Sequence, residues 1–369
     1  MSGDDELSAL RGELDAIDEE LLALAKKRLD VVARIKAQKQ AGGRHVFDRR
    51  REQEVLDKAG ARAARLGLAP GLGRDLLARL IEASHEIQSE AKSPTPASFL
   101  LVGGEGRMGK LFGRLLRGRG HRVAVLEAGE VVTPEVVAAA DVVMVAVPMP
   151  VAAEVVASLA PLVREDALLC DINSLKTDVC GALEHSRGEA LGTHPMFGPT
   201  VASLRRQKVV LCDVKTGPRA RFLEAELGAM GAEVIHATPE EHDAVMAVVQ
   251  VLTHFGIMTM GRALSRSGHR LETTLPFTSP IYRLELAMVG RLFSQQPELY
   301  REIMMSNPRG GALREIFHRE AAALVDILDR QDGDAFVAAF EEVRAYFLGF
   351  SEEAMNLSDQ IIETIMSRP

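Results

Sequence analysis

Near the start of the chain, apolar residues recur at spacings of three and four: Leu7, Leu10, Leu14, Ile17, Leu21, Leu24, Val31 and Ile35. No Gly or Pro lies between Glu13 and Ala41, so the spacing predicts one long helix with a single apolar stripe. Position 28 belongs to the same series and holds Arg28, a cation that is costly on an apolar seam unless something satisfies it. Lys39 points the same way about 16 Å further along the axis, so the two cations are placed to converge on an anion. Arg11 sits on another face, roughly 25 Å from Arg28 along the helix, and can reach such a site in a partner chain, which points to a dimer. A second helix is expected from about Asp48, with Arg51, Glu52, Val55 and Leu56. A third is expected from about Arg74 to Glu90, where Ser84 and Gln88 lie one turn apart. Gly67 to Gly73, around Pro70, reads as the turn between them. On the pattern alone, a helical dimerisation arm with solvated charges and an anion-binding site both fit.

The period changes after residues 93–98, a small, polar, proline-containing stretch that reads as a linker. Phe99-Leu-Leu-Val102 runs into Gly104-x-Gly106-x-x-Gly109, and a helical pattern follows through Leu111, Leu115 and Leu116. This strand, glycine turn and helix is the order a dinucleotide needs. The glycines permit a tight turn, backbone approach to a pyrophosphate and close helix–strand packing, with the helix N-terminus facing the phosphates. Arg107 and Met108, between the glycines, are further cofactor-binding candidates. His121–Leu126 is expected as a second strand that ends at Glu127, where a carboxylate can bond ribose hydroxyls and repel a 2'-phosphate. That argues for NAD over NADP; the alternative is a solvated strand end. Asp141–Val147 is a buried strand closed by Pro148, which is placed to shape the crevice near the nicotinamide. Ala167–Ile172 is another strand, with Ser174 and Lys176 at its carboxyl end. Gly192-Thr-His-Pro-Met-Phe-Gly-Pro199 reads as a restricted loop carrying His194, a residue suited to accept a proton while hydride leaves. Val209–Asp213 and Ala232–His236 are expected to complete the sheet.

From about Glu240 the pattern is helical almost to the end. His242 and His254 match no compact metal motif, and no metal is expected. Arg283 and Arg291 lie in the mostly apolar stretch Ser279–Phe293, as substrate ligands or as surface charges. Apolar faces through Leu324, Ile327, Phe336, Phe340 and Phe347 suit a dimer core. The expected architecture is therefore three-part: an all-α front (1–92), an α/β Rossmann-type NAD domain (99–240) and an all-α dimerisation and substrate domain (241–369).

Composition narrows the classes. The chain has 369 residues, of which 47% are hydrophobic, enough for several cored domains. A net charge of -8 argues against a general nucleic-acid binder. The acidic N-terminus lacks an apolar signal core, and no uninterrupted apolar run reaches membrane-spanning length. Three cysteines, Cys170, Cys180 and Cys212, without redox or metal spacing suit a reducing compartment. The expectation is a cytoplasmic protein with no membrane partner.

The front piece, through Arg11, Arg28, Lys39, Asp48, Arg51, Glu52, Ser84 and Gln88, resembles the intertwined all-helical chorismate mutase domain. The His194 motif and the Ser279–Phe293 stretch resemble prephenate dehydrogenase. Together the order resembles the bifunctional T-protein family of tyrosine biosynthesis, over essentially the entire chain. The resemblance implies that Arg28, Lys39 and a partner chain's Arg11 position, with Arg51, hold the carboxylates and ether oxygen of chorismate. Gln88 completes the ether contacts, and Asp48 and Glu52 serve the ring hydroxyl and the lysine. It implies that His194 receives the hydroxyl proton of prephenate, Ser174 bonds that histidine or the hydroxyl, and Lys176 lies beside the site. It further implies that Arg291 binds the ring carboxylate and that His254 lies near the side-chain end of substrate or of inhibitory tyrosine. Two departures are Thr200–Ser203, which varies in the family, and Leu175, usually smaller. An arogenate-type dehydrogenase with a non-catalytic helical arm is the alternative.

Overall fold

A computed structural model describes residues 3–41, 49–89 and 92–366. The front piece is three helices, α1 (Gly3–Ala41), α2 (Arg49–Arg65) and α3 (Pro70–Ser89). The apolar stripe of α1, from Leu7 to Ile35, is exposed in the single chain. Its helical period is as read, but the face turned toward α3 lies beside the stripe, at Ala25, Arg28, Leu29 and Val32, which are half-buried. A long apolar stripe left in water is a surface built for a partner.

The nucleotide part follows as β1 (Ser98–Val102), α4 (Arg107–Gly118), β2 (Arg122–Leu126), α5 (Pro134–Ala138), β3 (Val142–Val145), α6 (Met149–Leu159), β4 (Leu168–Asp171), α7 (Thr177–Leu183), β5 (Glu189–Pro195), β6 (Lys208–Lys215), α8 (Pro218–Ala229) and β7 (Glu233–His236). The sheet order is β2-β1-β3-β4-β5-β6-β7. Strands β1 to β5 run parallel, β6 pairs antiparallel with β5, and β7 is parallel to β6. The order reverses between β1 and β3, so the crevice for a ligand opens at their carboxyl ends, where the glycine loop sits. Phe99 and Leu101 alternate onto the face covered by Phe112 and Leu116 of α4 and Leu223 of α8.

The stretch read as a linker is tied down. Ser93 donates to Glu226 at 2.6 Å, beside Arg119 at 2.9 Å and His121 at 3.1 Å. The Ala97 amide donates to His121 Nδ1, so the ring gives its Nε2 proton to Glu226. Burial pushes the Glu226 carboxyl upward, but hydrogen bonds from His121, Arg119 and Ser93 outweigh it and hold the group at about 2.

The remainder is helical: α9 (Pro239–Met246), a π-turn (Ala247–Leu252), α10 (Thr253–Arg266), α11 (Leu271–Thr274), a 3-10 turn (Leu275–Phe277), α12 (Pro280–Phe293), α13 (Pro297–Ser306), α14 (Gly310–Asp329), α15 (Gly333–Phe347) and α16 (Ser351–Met366). Thr238 and Glu241 form a reciprocal capping box that starts α9. Pro239–Arg266 is one continuous helix of 28 residues, long and apolar enough by length and composition to cross a membrane, and 17% of its most apolar window is buried. Gln250, Thr253 and His254 interrupt the apolar run, which is why the sequence shows no unbroken span there.

The described chain forms two compact units. The first is Met1–Val147, Glu154–Ile172 and Ala182–His236; the second is Pro148–Ala153, Asn173–Gly181 and Ala237–Pro369. Two short excursions thus carry Pro148, Ser174 and Lys176 into the helical unit.

Leu101 is fully buried between α4 and the sheet. Leu101→Ala should cost about 2–5 kcal/mol, read as a lower urea midpoint at unchanged m-value.

Candidate active sites

In the front piece, Arg28 Nη1 on α1 donates to Ser84 Oγ and to the Leu80 carbonyl of α3, both at 3.0 Å. Burial lowers the Arg28 pKa, the mark of a desolvated cation. Two of the candidate residues, far apart in sequence, therefore meet. Arg51, exposed in the first turn of α2, pairs with Glu54 at 3.0 Å, and Glu52 faces Arg205 and Arg206. Arg11 is exposed on α1. Asp48 and the side chains of Lys39 and Gln88 lie outside the described residues.

The glycine loop has a different division of labour from the one its spacing implies. The tight turn falls on Gly103, with φ +80, and not on Gly104. A Cβ at Gly103 would lie 2.9 Å from the Ala146 carbonyl, and one at Gly104 would lie 2.8 Å from Val125. Gly109 behaves as read: its Cβ would sit 2.6 Å from Gly103 O and Gly104 Cα, so only glycine lets α4 close on the loop. Gly106 caps α4 with extended backbone and no side-chain cap, which leaves the first amides of the helix facing the loop. Arg107 is exposed, and Met108 packs against the core.

Glu127 ends β2 at this loop. Its Oε1 accepts the Glu105 amide at 2.7 Å, and Glu130 accepts the Glu127 amide at 2.6 Å. The carboxylates of Glu127 and Glu130 thus rim the loop, an environment that repels a phosphate on the ribose and welcomes hydroxyl donors, while the Glu105 carboxylate pairs with Lys110 at 3.1 Å. The loop without Cβ atoms, the helix N-terminus and this acidic rim fit a dinucleotide with a free 2'-hydroxyl.

His194 lies not in a loop but in β5, paired with Val210 of β6, and is 2% exposed. The Gly and Pro residues around it suggested irregular backbone, yet the antiparallel pairing with β6 extends the strand through Pro195. The neighbouring Thr193 is fastened to Asp171: its amide donates to Asp171 Oδ1 at 3.2 Å, and its hydroxyl donates to the Asp171 carbonyl. β5 is therefore held to the end of β4 beside the histidine.

The helical unit brings together a second set. Asp243, which the sequence reading did not single out, accepts the Lys176 amide at 2.9 Å, the Thr177 amide at 2.9 Å, the Thr177 hydroxyl at 2.6 Å and His242 Nδ1 at 2.8 Å. Asn307 in turn donates to the Asp243 carbonyl at 2.9 Å. These bonds pin the segment carrying Ser174 and Lys176, the latter fully buried. Burial opposes ionisation of Asp243, but the bonds from His242, Thr177 and the Lys176 amide outweigh it and hold the carboxyl at about 2. A capping box and an apolar helix gave no hint of this role. The π-turn ends two residues before His254, whose ring meets Tyr300 edge-on at 4.9 Å. Burial lowers the His254 pKa, and its buried Nδ1 has no hydrogen-bond partner among the described residues. Burial raises the Tyr300 pKa, partly countered by the charge of Arg291, so His254, Tyr300 and Arg291 form one cluster. Tyr300 too was not legible beforehand, since a single tyrosine on an amphipathic helix carries no signal. Among the described residues, no group of three or more His, Cys, Asp or Glu is arranged to hold a metal.

Comparison with known proteins agrees with this three-part order. Residues 10–89 match the chorismate mutase type II family, 119–235 the prephenate dehydrogenase nucleotide-binding domain and 238–342 the prephenate dehydrogenase dimerization domain. The T-protein of Haemophilus influenzae is 34% identical over 98% of this chain and 98% of its own. The T-protein of Enterobacter agglomerans is 35% identical over 93% of each. The crystal structure of prephenate dehydrogenase from A. aeolicus, in complex with hydroxyphenyl propionate and NAD+, shares the fold over 70% of this chain and 99% of its own, at 20% identity and a TM-score of 0.54. The class is a mutase fused to a dehydrogenase. The chain belongs to the T-protein family and is a bifunctional enzyme of tyrosine biosynthesis, a chorismate mutase and a prephenate dehydrogenase in one polypeptide.

The low pKa of Asp243 has a consequence for stability. Its folded value lies below the unfolded value of about 3.9, so its contribution is complete above that pH and is lost as pH falls toward 2. Urea unfolding across pH 5 to 2 should show the native chain losing about 2–3 kcal/mol more than Asp243→Asn over that window.

Proposed function

We propose that the two reactions are run by the candidate residues named above. The observation that carries the reading is Arg28, a desolvated cation of α1 held against Ser84 of α3 within an all-helical front piece. A mere dimerisation arm has no use for such a group on its inner face. In the rearrangement of chorismate to prephenate no nucleophile or general base is needed. Fixed cations hold the diaxial conformer and stabilise charge on the breaking ether bond. Arg28, Lys39 and Arg51, with Arg11 of a second copy, supply that charge, and Gln88, Ser84, Asp48 and Glu52 orient the ring.

Prephenate is then oxidised in the second half. NAD+, held by Gly104, Gly106, Arg107, Met108, Gly109, Glu127 and Pro148, accepts the hydride when bound. His194 takes the proton of the ring hydroxyl, and Ser174 orients it. As the ring carbonyl forms, the carboxylate on the opposite ring carbon leaves as carbon dioxide, the electron pair of the broken bond aromatises the ring onto that oxygen, and the resulting phenolate takes the proton back from His194 to give 4-hydroxyphenylpyruvate. Arg291 holds that carboxylate, Lys176 lies beside the site, and His254 faces the side-chain end of the substrate. The enzyme acts as a homodimer in the cytoplasm: the exposed stripe of α1 and the apolar helices after Pro239 supply contact surface, and Cys170, Cys180 and Cys212 are buried and form no disulfide among the described residues. Tyrosine, the end product, is the feedback inhibitor in this reading, bound near His254. The domain limits that follow are 1–92, 99–240 and 241–369, with 93–98 joining the first two.

A single assay tests the scheme. Protein, NAD+ and chorismate should together produce NADH, read at 340 nm, and added prephenate should do so alone. Arg28→Ala should abolish most NADH formation from chorismate and leave the rate from prephenate intact. His194→Asn should lower turnover of prephenate on the order of 10²–10⁴-fold while chorismate is still consumed. Chorismate-driven NADH at the normal rate in Arg28→Ala would return the front piece to a structural arm.

A further inference from the structure

The turn after the His194 strand reaches the front piece. Arg205 Nη2 lies 3.6 Å and Arg206 Nη2 3.9 Å from Glu52 Oε2 on α2. Arg205 and Glu52 are largely sheltered, at 17% and 20% side-chain exposure, whereas Arg206 is 69% exposed. The sheltered pair is therefore the less screened of the two.

This turn is built to hold its shape. Leu204 is fully buried, and the Gln207 amide donates back to the Leu204 carbonyl at 2.9 Å. The Arg206 amide donates to the Gly231 carbonyl at 3.0 Å, and Arg206 adopts φ 57, a left-handed conformation uncommon for a residue with a side chain. A Cβ at Gly231, itself at φ +92, would lie 3.0 Å from Arg205 Cα, so glycine is what lets the turn pack there. On the other side, Arg114 of α4 donates to the Val201 and Ala202 carbonyls, both at 3.3 Å. A left-handed non-glycine residue persists only where its surroundings over-determine it, and here it presents two successive guanidinium groups to one carboxylate.

We propose that Arg205 is a positioning residue of the mutase, supplied by the nucleotide-binding part of the chain. Its guanidinium orients the Glu52 carboxylate, so that Glu52 meets the ring of chorismate in a fixed pose. The first reaction then depends on the second domain through a named contact. The proposal rests on the assignment of Glu52 to the mutase site. It adds Arg205, which lies outside residues 10–89 that match the mutase family.

The test is a double-mutant cycle in the full-length chain, with Glu52→Gln, Arg205→Ala and their combination, plus Arg205→Lys and Arg206→Ala. Chorismate consumption gives mutase kcat and KM, and oxidation of added prephenate by the same samples reports whether the second half is folded. Expected are a fall in mutase kcat/KM of about 5–50-fold for Arg205→Ala and a double variant no worse than Glu52→Gln alone. Arg205→Lys should recover most of the loss, Arg206→Ala should change less than about two-fold, and prephenate oxidation should stay near the native rate. If Glu52→Gln impairs the mutase while Arg205→Ala leaves it normal, or if the two losses simply multiply, the positioning role is wrong and the Glu52 assignment stands. Equal damage to both activities in Arg205→Ala, not rescued by Arg205→Lys, would mark a structural role and overturn the proposal. Normal mutase activity in Glu52→Gln would remove Glu52 from the site and the proposal with it.

Discussion

Much of the nucleotide half depends on how closely the start of α4 approaches the end of β1. A Cβ on Gly109 would overlap the backbone of Gly103 and Gly104, and one on Gly104 would strike Val125 of β2. Without those atoms the helix N-terminus sits directly over the strand end, and the amides of the first turn point where phosphates are held. The same closeness brings the loop to Glu127, which accepts the Glu105 amide and so becomes part of the loop's rim. Cofactor choice and backbone packing are in this way two results of one steric condition.

Two buried carboxylates do related work elsewhere. Glu226 gathers Ser93, Arg119 and His121, and so fastens the segment after the front piece to the base of the nucleotide part. Asp243 gathers His242, Thr177 and the Lys176 amide, and so fixes the segment that carries Ser174 and Lys176. Each is desolvated, and each stays ionised because several donors converge on it. The result is orientation more than net stability, because the bonds largely repay the cost of taking the charge out of water.

Much apolar surface is exposed in the single chain. The α1 stripe and helix faces through Leu324, Phe336, Phe340 and Phe347 are exposed in one chain. Periodicity alone placed those stripes correctly along their helices, but it put Arg28 on the same seam as the leucines. The structure turns Arg28 toward Ser84, because a helix offers adjacent faces and one cation can leave the stripe by a small rotation.

Local pattern was sufficient wherever a signal repeats at a fixed spacing. The long helix of the front piece, the glycine loop and its acidic partner at Glu127, and the strands at 99, 122, 142, 168, 209 and 233 were all legible, since each is set by near neighbours in the chain. The strand at His194 was not, because its partner β6 supplies the pairing that overrides glycine and proline on either side. Nor was Gly103 as the residue at the turn, the pinning of Lys176 by Asp243, the cluster of Arg291 with Tyr300 and His254, or the approach of Arg205 to Glu52. Those depend on side chains that fold together from 9 to 153 residues apart, where sequence spacing carries no distance. The sequence by itself determined which chemistries the chain carries. The tertiary structure decided which residues meet, because hydrogen bonds and close packing are set by distance in space and not along the chain.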